Sequence, residues 1–235
     1  MDWDSIDAFL FDLDGVITPT AELHMRAWAA LFQGFLTGRG VAEPYTDADY
    51  FRFVDGKPRY DGVRALLASR GITLPEGSPD DDGSVETVCG LGNRKNAVFN
   101  EVLARDGIAP YPGSVALMDA VDARGKAKAI VSSSKNARLV LTAAGIIDRF
   151  TVIMDGVEAA AQHLPGKPAP DTFQAAARAL GVPYDRCVVV EDAVSGVQAG
   201  AAGGFGLVVG VERGAGEDLG SQGADIVVED LGELV

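Results

Sequence analysis

Six short apolar runs punctuate the chain: AFLFDL (8–13), KAIVSS (128–133), FTVIMD (150–155), CVVVED (187–192), FGLVVGV (205–211) and ADIVVE (224–229). They are continuous rather than alternating, and rich in Val, Ile and Leu. Strands buried on both faces read this way, and such strands belong to parallel sheets. Helical periodicity fills the intervals 114–124, 136–145, 170–181 and 193–204, each closing near Gly or Arg. The alternation predicts an α/β fold with a Rossmann-like, doubly wound parallel sheet. Between about Thr20 and Gly107 the rhythm stops. An amphipathic helix over 22–36 is followed by a second near 61–70 and a third near 94–105. The acidic stretch PEGSPDDDG (75–83) separates the last two and reads as a solvated loop. It lacks the regularly spaced oxygen ligands and closing glutamate of a calcium loop. The expected organisation is therefore a helical cap at 18–107, inserted after the first strand, with 1–17 and 108–235 forming the core.

Composition narrows the function. The chain has 235 residues, 47% of them hydrophobic, enough for one large domain plus a smaller one. No run approaches the roughly 18–20 apolar residues of a membrane helix. The start, Met1-Asp2-Trp3-Asp4, is acidic where a signal peptide is basic. A cytoplasmic protein with no membrane partner is expected. The net charge of −14 argues against nucleic acid. It allows a small phosphorylated metabolite, for which a few local cations suffice. Cys89 and Cys187 lack metal-ligand spacing and read as reduced thiols, with Cys187 in the core. GAAGGFGLVVG (200–210) lacks the G-x-G-x-x-G order, and SSSK lacks the G-x-S-x-G elbow of a serine hydrolase.

The candidate chemistry lies at strand ends. Open α/β sheets bind ligands outside the carboxyl ends of their strands. Asp12 and Asp14 sit at one such end, Ser132, Ser133 and Ser134 at a second, Glu191 and Asp192 at a third. Four carboxylates brought together repel unless a cation joins them. Oxygen-only ligands favour a hard ion, Mg2+ first. Two histidines, His24 and His163, do not make a zinc site. Each carboxylate could instead merely cap the helix that follows it, but acid pairs at two strand ends weigh against that. Lys167, in GKPAPDTF, is a point charge suited to a phosphate, against its reading as a solvated surface lysine.

FDLDG, SSSKN, GKPAPD and VVEDA, in this order, resemble the haloacid dehalogenase superfamily of aspartyl phosphotransferases. FDLDGVIT (11–18), the T-A-E-x-H-x-R-A-W pattern (20–28), YPG (111–113), SSSKN (132–136), GKPAPD (166–171) and EDAVSGVQA (191–199) resemble its β-phosphoglucomutase-like subfamily. The resemblance implies that Asp12 is the nucleophile and Asp14 the general acid and base. It implies that Ser132 and Lys167 hold the transferring phosphoryl group. Mg2+ would be held by Asp12, the backbone carbonyl of Asp14, Asp192 and Glu191, the last directly or through water. Thr20 would hydrogen-bond Asp14. His24 would contact Asp14 and help align the sugar, with Trp28 beside it. Arg59 from the cap, with Ser134, Lys135 and Asn136 from the core, would hold a second phosphate, and Ser133 joins the substrate-binding set. The implied activity is magnesium-dependent phosphoryl transfer on a small sugar phosphate by a monomer. The first expectation is conversion of β-glucose 1-phosphate to glucose 6-phosphate, and the alternative is a sugar-phosphate phosphatase. A phosphoacceptor signalling domain needs no cap, and a metal-free dehalogenase typically lacks the second aspartate. Three positions depart from the subfamily: Asp55 where a lysine is usual, Pro19 where an acid is common, and Ala193 where a serine is common. With Lys57 they leave open a different sugar. Thr18–Thr20 and Gly107–Pro110, the crossings into the insert, are the expected hinges.

Overall fold

All six apolar runs form strands, and every pairing is parallel. The computed structural model describes residues 2–54, 57, 59–213 and 218–235. The chain divides into one unit of residues 1–20 with 108–235 and a second of residues 21–107. In the first unit, β1 (Ala8–Phe11), β2 (Ala127–Val131), β3 (Val152–Met154), β4 (Cys187–Glu191), β5 (Leu207–Val211) and β6 (Ile226–Val228) lie in the order β3-β2-β1-β4-β5-β6. The chain builds outward on one side of β1 and then on the other, so the topological switch falls between β1 and β4.

β1 and β4 are buried along their whole length, as two covered faces require. β1, β3, β5 and β6 are each at least two residues shorter than their apolar runs, and the first shows why. Asp12 still donates its N–H to the Val190 carbonyl at 2.9 Å, but the Leu13 carbonyl already accepts from Ile17 and Thr18, both at 3.0 Å. The chain thus leaves the ladder carrying both aspartates into a tight loop.

Helices of the second unit are α1 (Thr20–Gly38, entered from the first unit), α2 (Asp47–Asp49), α3 (Arg59–Ser69) and α4 (Val88–Asp106), with a π-turn over Tyr50–Val54. The first unit has α5 (Pro112–Ala123), α6 (Ala137–Ala143), α7 (Gly156–Ala161), α8 (Asp171–Leu180) and α9 (Val194–Ala202). Pro112 opens α5, and Gly181 in the left-handed region (φ 72°) closes α8. α7 escaped the periodicity because it has six residues. Its start is fixed by the Asp155 carboxylate, which accepts from the N–H groups of Val157 and Glu158 at 2.9 Å. Leu10, Val131, Phe173 and Val189 join α8 and the sheet in one core.

The second unit has its own core: Trp28, Leu31, Phe32 and Phe35 from α1, Val63, Leu66 and Leu67 from α3, and Leu91 from α4. The α1 positions follow helical spacing. α4 begins about six residues earlier than its periodicity predicts. The Thr87 hydroxyl caps it by accepting from the Gly90 N–H at 2.9 Å. Gly90, which reads as a breaker, is required by packing, since a Cβ there would lie 2.2 Å from the Val85 carbonyl oxygen. The acidic loop is largely exposed, as expected, but it is also tied down: Asp81 accepts from the Thr87 hydroxyl at 2.6 Å, and Asp82 from the Ser84 N–H at 2.8 Å. Asp55 lies outside the described residues. Cys89 and Cys187 are both buried and unpaired, and burial pushes the Cys187 thiol up to about 12. Among the described residues no helix is long and apolar enough to cross a membrane.

Candidate active site

The register of the sheet assembles the first part of the site. Phe11 lies opposite Ile130 on β2 and Val190 on β4, so the residues just beyond these three emerge together. Asp12, Glu191 and Asp192 each offer a carboxylate oxygen, and these atoms lie within 4.8 Å of one another. Lys167 joins them from the loop before α8. Its Nζ is 2.5 Å from Asp12 Oδ1, 2.5 Å from Glu191 Oε1 and 2.9 Å from the Val131 carbonyl. Three acceptors match the three N–H bonds of an ammonium. Burial alone would lower the Lys167 pKa, but Asp12 and Glu191 outweigh it and hold the pKa above its ordinary value. The surface-lysine reading of Lys167 fails, because the side chain is buried in a double ion pair.

The carboxylates carry the opposite strain. Burial pushes Glu191 up to about 7; Lys167 draws it down and Asp12 adds to the rise. Its second oxygen accepts from the N–H groups of Asp192 at 3.0 Å and Ala193 at 3.1 Å. Burial, then Glu191, Asp12 and Asp14, hold Asp192 well above the ordinary carboxylate range. Converging carboxylates that resist ionisation, with oxygen donors alone, fit a hard divalent cation. Two glycines make the cluster fit. A Cβ on Gly15 (φ +83°) would fall 1.8 Å from Asp192 Oδ2, and one on Gly196 would fall 1.9 Å from Glu191 Oε1. Sequence reasoning missed both. Their signal is position, one residue after Asp14 and four after Asp192, where backbone must pass close to a carboxylate.

Asp14 stands apart from that cluster. The buried Thr20 hydroxyl donates to its Oδ1 and lies 3.3 Å from the Thr18 hydroxyl. Ser132 is buried, and its Oγ accepts from the Ser134 N–H at 3.1 Å; the Ser134 Oγ accepts from the Asn136 N–H at 3.1 Å. These local turns fix the loop after β2. Ser133 and Lys135 are exposed on it, while Ser134 and Asn136 are half-buried.

The second unit gathers His24, Trp28 and Arg59 with residues that sequence reasoning did not single out. His24 stacks on Phe99, with ring centroids 4.5 Å apart. Lys95 Nζ lies 2.5 Å from His24 Nδ1 and 5.1 Å from the ring centroid of Trp28. Burial drives the His24 pKa well below 6.5, with Lys95 and Arg59 adding to the fall. The imidazole is therefore neutral, accepting at Nδ1 from the lysine and carrying its proton on Nε2. Arg59 is the first residue of α3, and it donates to Asn96 Oδ1 at 2.8 Å. Burial lowers its pKa from the ordinary arginine value. Lys95 carried one usable signal: a lysine four residues before Phe99 on a largely apolar helix face.

The sequence profile of the haloacid dehalogenase-like hydrolases matches residues 6–204. The chain belongs to this family. A Mycobacterium bovis protein named β-phosphoglucomutase is 49% identical over 99% of this chain and 92% of its own length. A Bacillus subtilis protein of the same name is 30% identical over 97% of this chain and 91% of its own. The crystal structure of β-phosphoglucomutase from Clostridium difficile superposes with a TM-score of 0.76 at 27% identity, covering 98% of this chain and 93% of that one. The chain is thus an enzyme of the phosphotransferase and phosphatase kind.

Proposed function

We propose that this enzyme converts β-glucose 1-phosphate to glucose 6-phosphate through an aspartyl phosphate, with Mg2+ as cofactor. The observation that carries phosphoryl transfer is the buried cluster of Asp12, Glu191 and Asp192 wired to Lys167. The choice of sugar rests on the near full-length likeness to the mycobacterial protein.

Lys167 holds Oδ1 of Asp12, which leaves Oδ2 as the oxygen to attack phosphorus. On the 1,6-bisphosphate, as the new O–P bond forms, the bond from phosphorus to the C1 oxygen breaks, Asp14 gives that oxygen a proton and glucose 6-phosphate is released. In the other half, Asp14 takes the proton of the C6 hydroxyl of β-glucose 1-phosphate while that oxygen attacks the aspartyl phosphate, Asp12 leaves and the 1,6-bisphosphate is regenerated. The Thr20 hydroxyl fixes the Asp14 carboxyl for both transfers. Splitting transfer into two steps lets one carboxylate serve both directions. With substrate bound, one Lys167 N–H turns from its protein acceptor to the phosphoryl oxygens, where Ser132 joins it and the ammonium offsets their charge. Asp12, Asp192, the Asp14 carbonyl and Glu191 would hold Mg2+, which supplies further charge neutralisation on those oxygens. Both Glu191 oxygens already have protein partners, which favours its acting through water. In the second unit, His24 and Trp28 align the sugar, and Arg59 holds the phosphate that is not transferred. Ser133, Ser134, Lys135 and Asn136 are the first unit's candidates for substrate contact.

The test supplies the enzyme with Mg2+, β-glucose 1-phosphate and a trace of the 1,6-bisphosphate. Glucose 6-phosphate is the expected product. Glucose and free phosphate alone would overturn the mutase reading and leave a phosphatase.

A further inference from the structure

We propose that Asn93 is a positioning residue for Arg59, presetting its guanidinium for a phosphate and tying it to the loop at 79–82. The proposal rests on the reading of Arg59 as the group that holds the second phosphate. The Asn93 amide is used at both ends. Its NH2 donates to the carbonyls of Pro79 at 3.0 Å and Asp81 at 2.9 Å. Its Oδ1 accepts from the Tyr60 hydroxyl at 3.0 Å and faces Arg59 Nη1 at 3.5 Å. Because two carbonyls pin the nitrogen end, the oxygen must face the arginine. One turn on, Asn96 accepts from Arg59 Nη2.

Gly92 completes the seat. A Cβ there would lie 2.8 Å from the Tyr60 ring and 3.2 Å from Arg59 Cδ. Glycine is a poorer helix former than alanine, and here it lets both side chains lie on bare backbone. The manner of holding is distinctive. Arg39 pairs with Glu86, Arg64 with Asp61 and Glu76, and Arg70 with Asp49. Among the described residues Arg59 has no carboxylate partner; amide oxygens hold it instead. An amide orients a guanidinium without neutralising it, so its charge and remaining N–H donors stay available for an anion. The acidic loop contributes only carbonyls here, because the Asp81 carboxylate is engaged by Thr87.

The experiment measures kcat and KM for isomerisation of β-glucose 1-phosphate and for hydrolysis of an aryl phosphate. It uses Asn93→Ala, Arg59→Ala and the double variant, with thermal melts as a folding control. Asn93→Ala should raise KM for the sugar phosphate about tenfold, the scale of losing one charged hydrogen bond, and affect the aryl phosphate far less. In the Arg59→Ala background it should add nothing, since its effect passes through that arginine. Gly92→Ala, which keeps the amide but fills the seat, should move KM the same way and decides the matter if Asn93→Ala does not fold. An equal effect of Asn93→Ala in both backgrounds, or an unchanged KM in the folded single variant, overturns the proposal. If Arg59→Ala itself leaves isomerisation untouched, the phosphate role of Arg59 falls, and the positioning role with it.

Discussion

Lys167 in the first unit and Arg59 in the second are held in opposite ways. In the first, opposite charges touch: Lys167 is locked between Asp12 and Glu191, and adjacent strand ends deliver the partners. In the second, Arg59 rests on neutral amides. A locked ion pair defines positions firmly. A cation on a neutral seat keeps its charge for whatever binds. The first arrangement suits the reacting groups, which must not move. The second suits a group that selects a substrate by its charge.

The largest effect is expected from Asp12, the proposed nucleophile. Asp12→Asn should lower turnover of sugar phosphate and aryl phosphate alike by at least about 10^4-fold, as loss of a nucleophile does elsewhere. Aryl phosphate hydrolysis surviving within an order of magnitude would place the chemistry outside this cluster. Next comes Lys167→Met, which keeps the volume but leaves Asp12 and Glu191 buried without their cation. Denaturant melts should show a loss of about 3–5 kcal/mol, and near wild-type stability would mean the ion pairs do not lock the site.

The carboxylates also predict how the metal-free protein responds to pH. Glu191 is raised to about 7 from an ordinary value of 4.5, and Asp192 moves the same way. The folded state therefore keeps protons that the unfolded state has released. That contribution to stability is complete below about 4.5 and is lost as pH rises through about 7. Magnesium, which binds the ionised forms, should raise the melting temperature more at pH 8 than at pH 5. Equal shifts at both would contradict a metal held by these groups. The smallest effect belongs to the second unit. His24 is depressed below 6.5 in the folded state, so below pH 6.5 the unfolded chain gains a proton that the folded chain refuses. Stability should fall with pH there by at most about 1.4 kcal/mol per unit. His24→Phe should remove that slope, and parallel curves for the two proteins would mean the imidazole is not held neutral.

Legibility followed the same division. The sheet was readable because strands covered on both faces must be apolar throughout, and its carboxylates stood out at the ends of those runs. Asp12, Glu191 and Asp192 converge because the β1–β4 register leaves them no alternative. Strand ends were overestimated because the apolar run continues into the loop at Leu13, which is buried without being in the ladder. In the second unit α4 starts at Val88, six residues before the periodicity places it, and its first turns carry Gly90 and Gly92 where other backbone or side chains come close. Lys95, Asn93 and Asn96 went unmarked for a related reason. Their roles arise from contacts between α4 and residues 24, 59 and 60, and no local pattern announces those partners.

If the first unit performs the transfer and the second selects what receives it, the ratio of β-glucose 1-phosphate isomerisation to aryl phosphate hydrolysis must differ between the wild type and Arg59→Ala. The ratio should be lower by roughly ten- to hundredfold in the variant, since an aryl phosphate has no second phosphate for the arginine to hold. A variant that loses both activities in equal proportion, leaving the ratio unchanged, would contradict it.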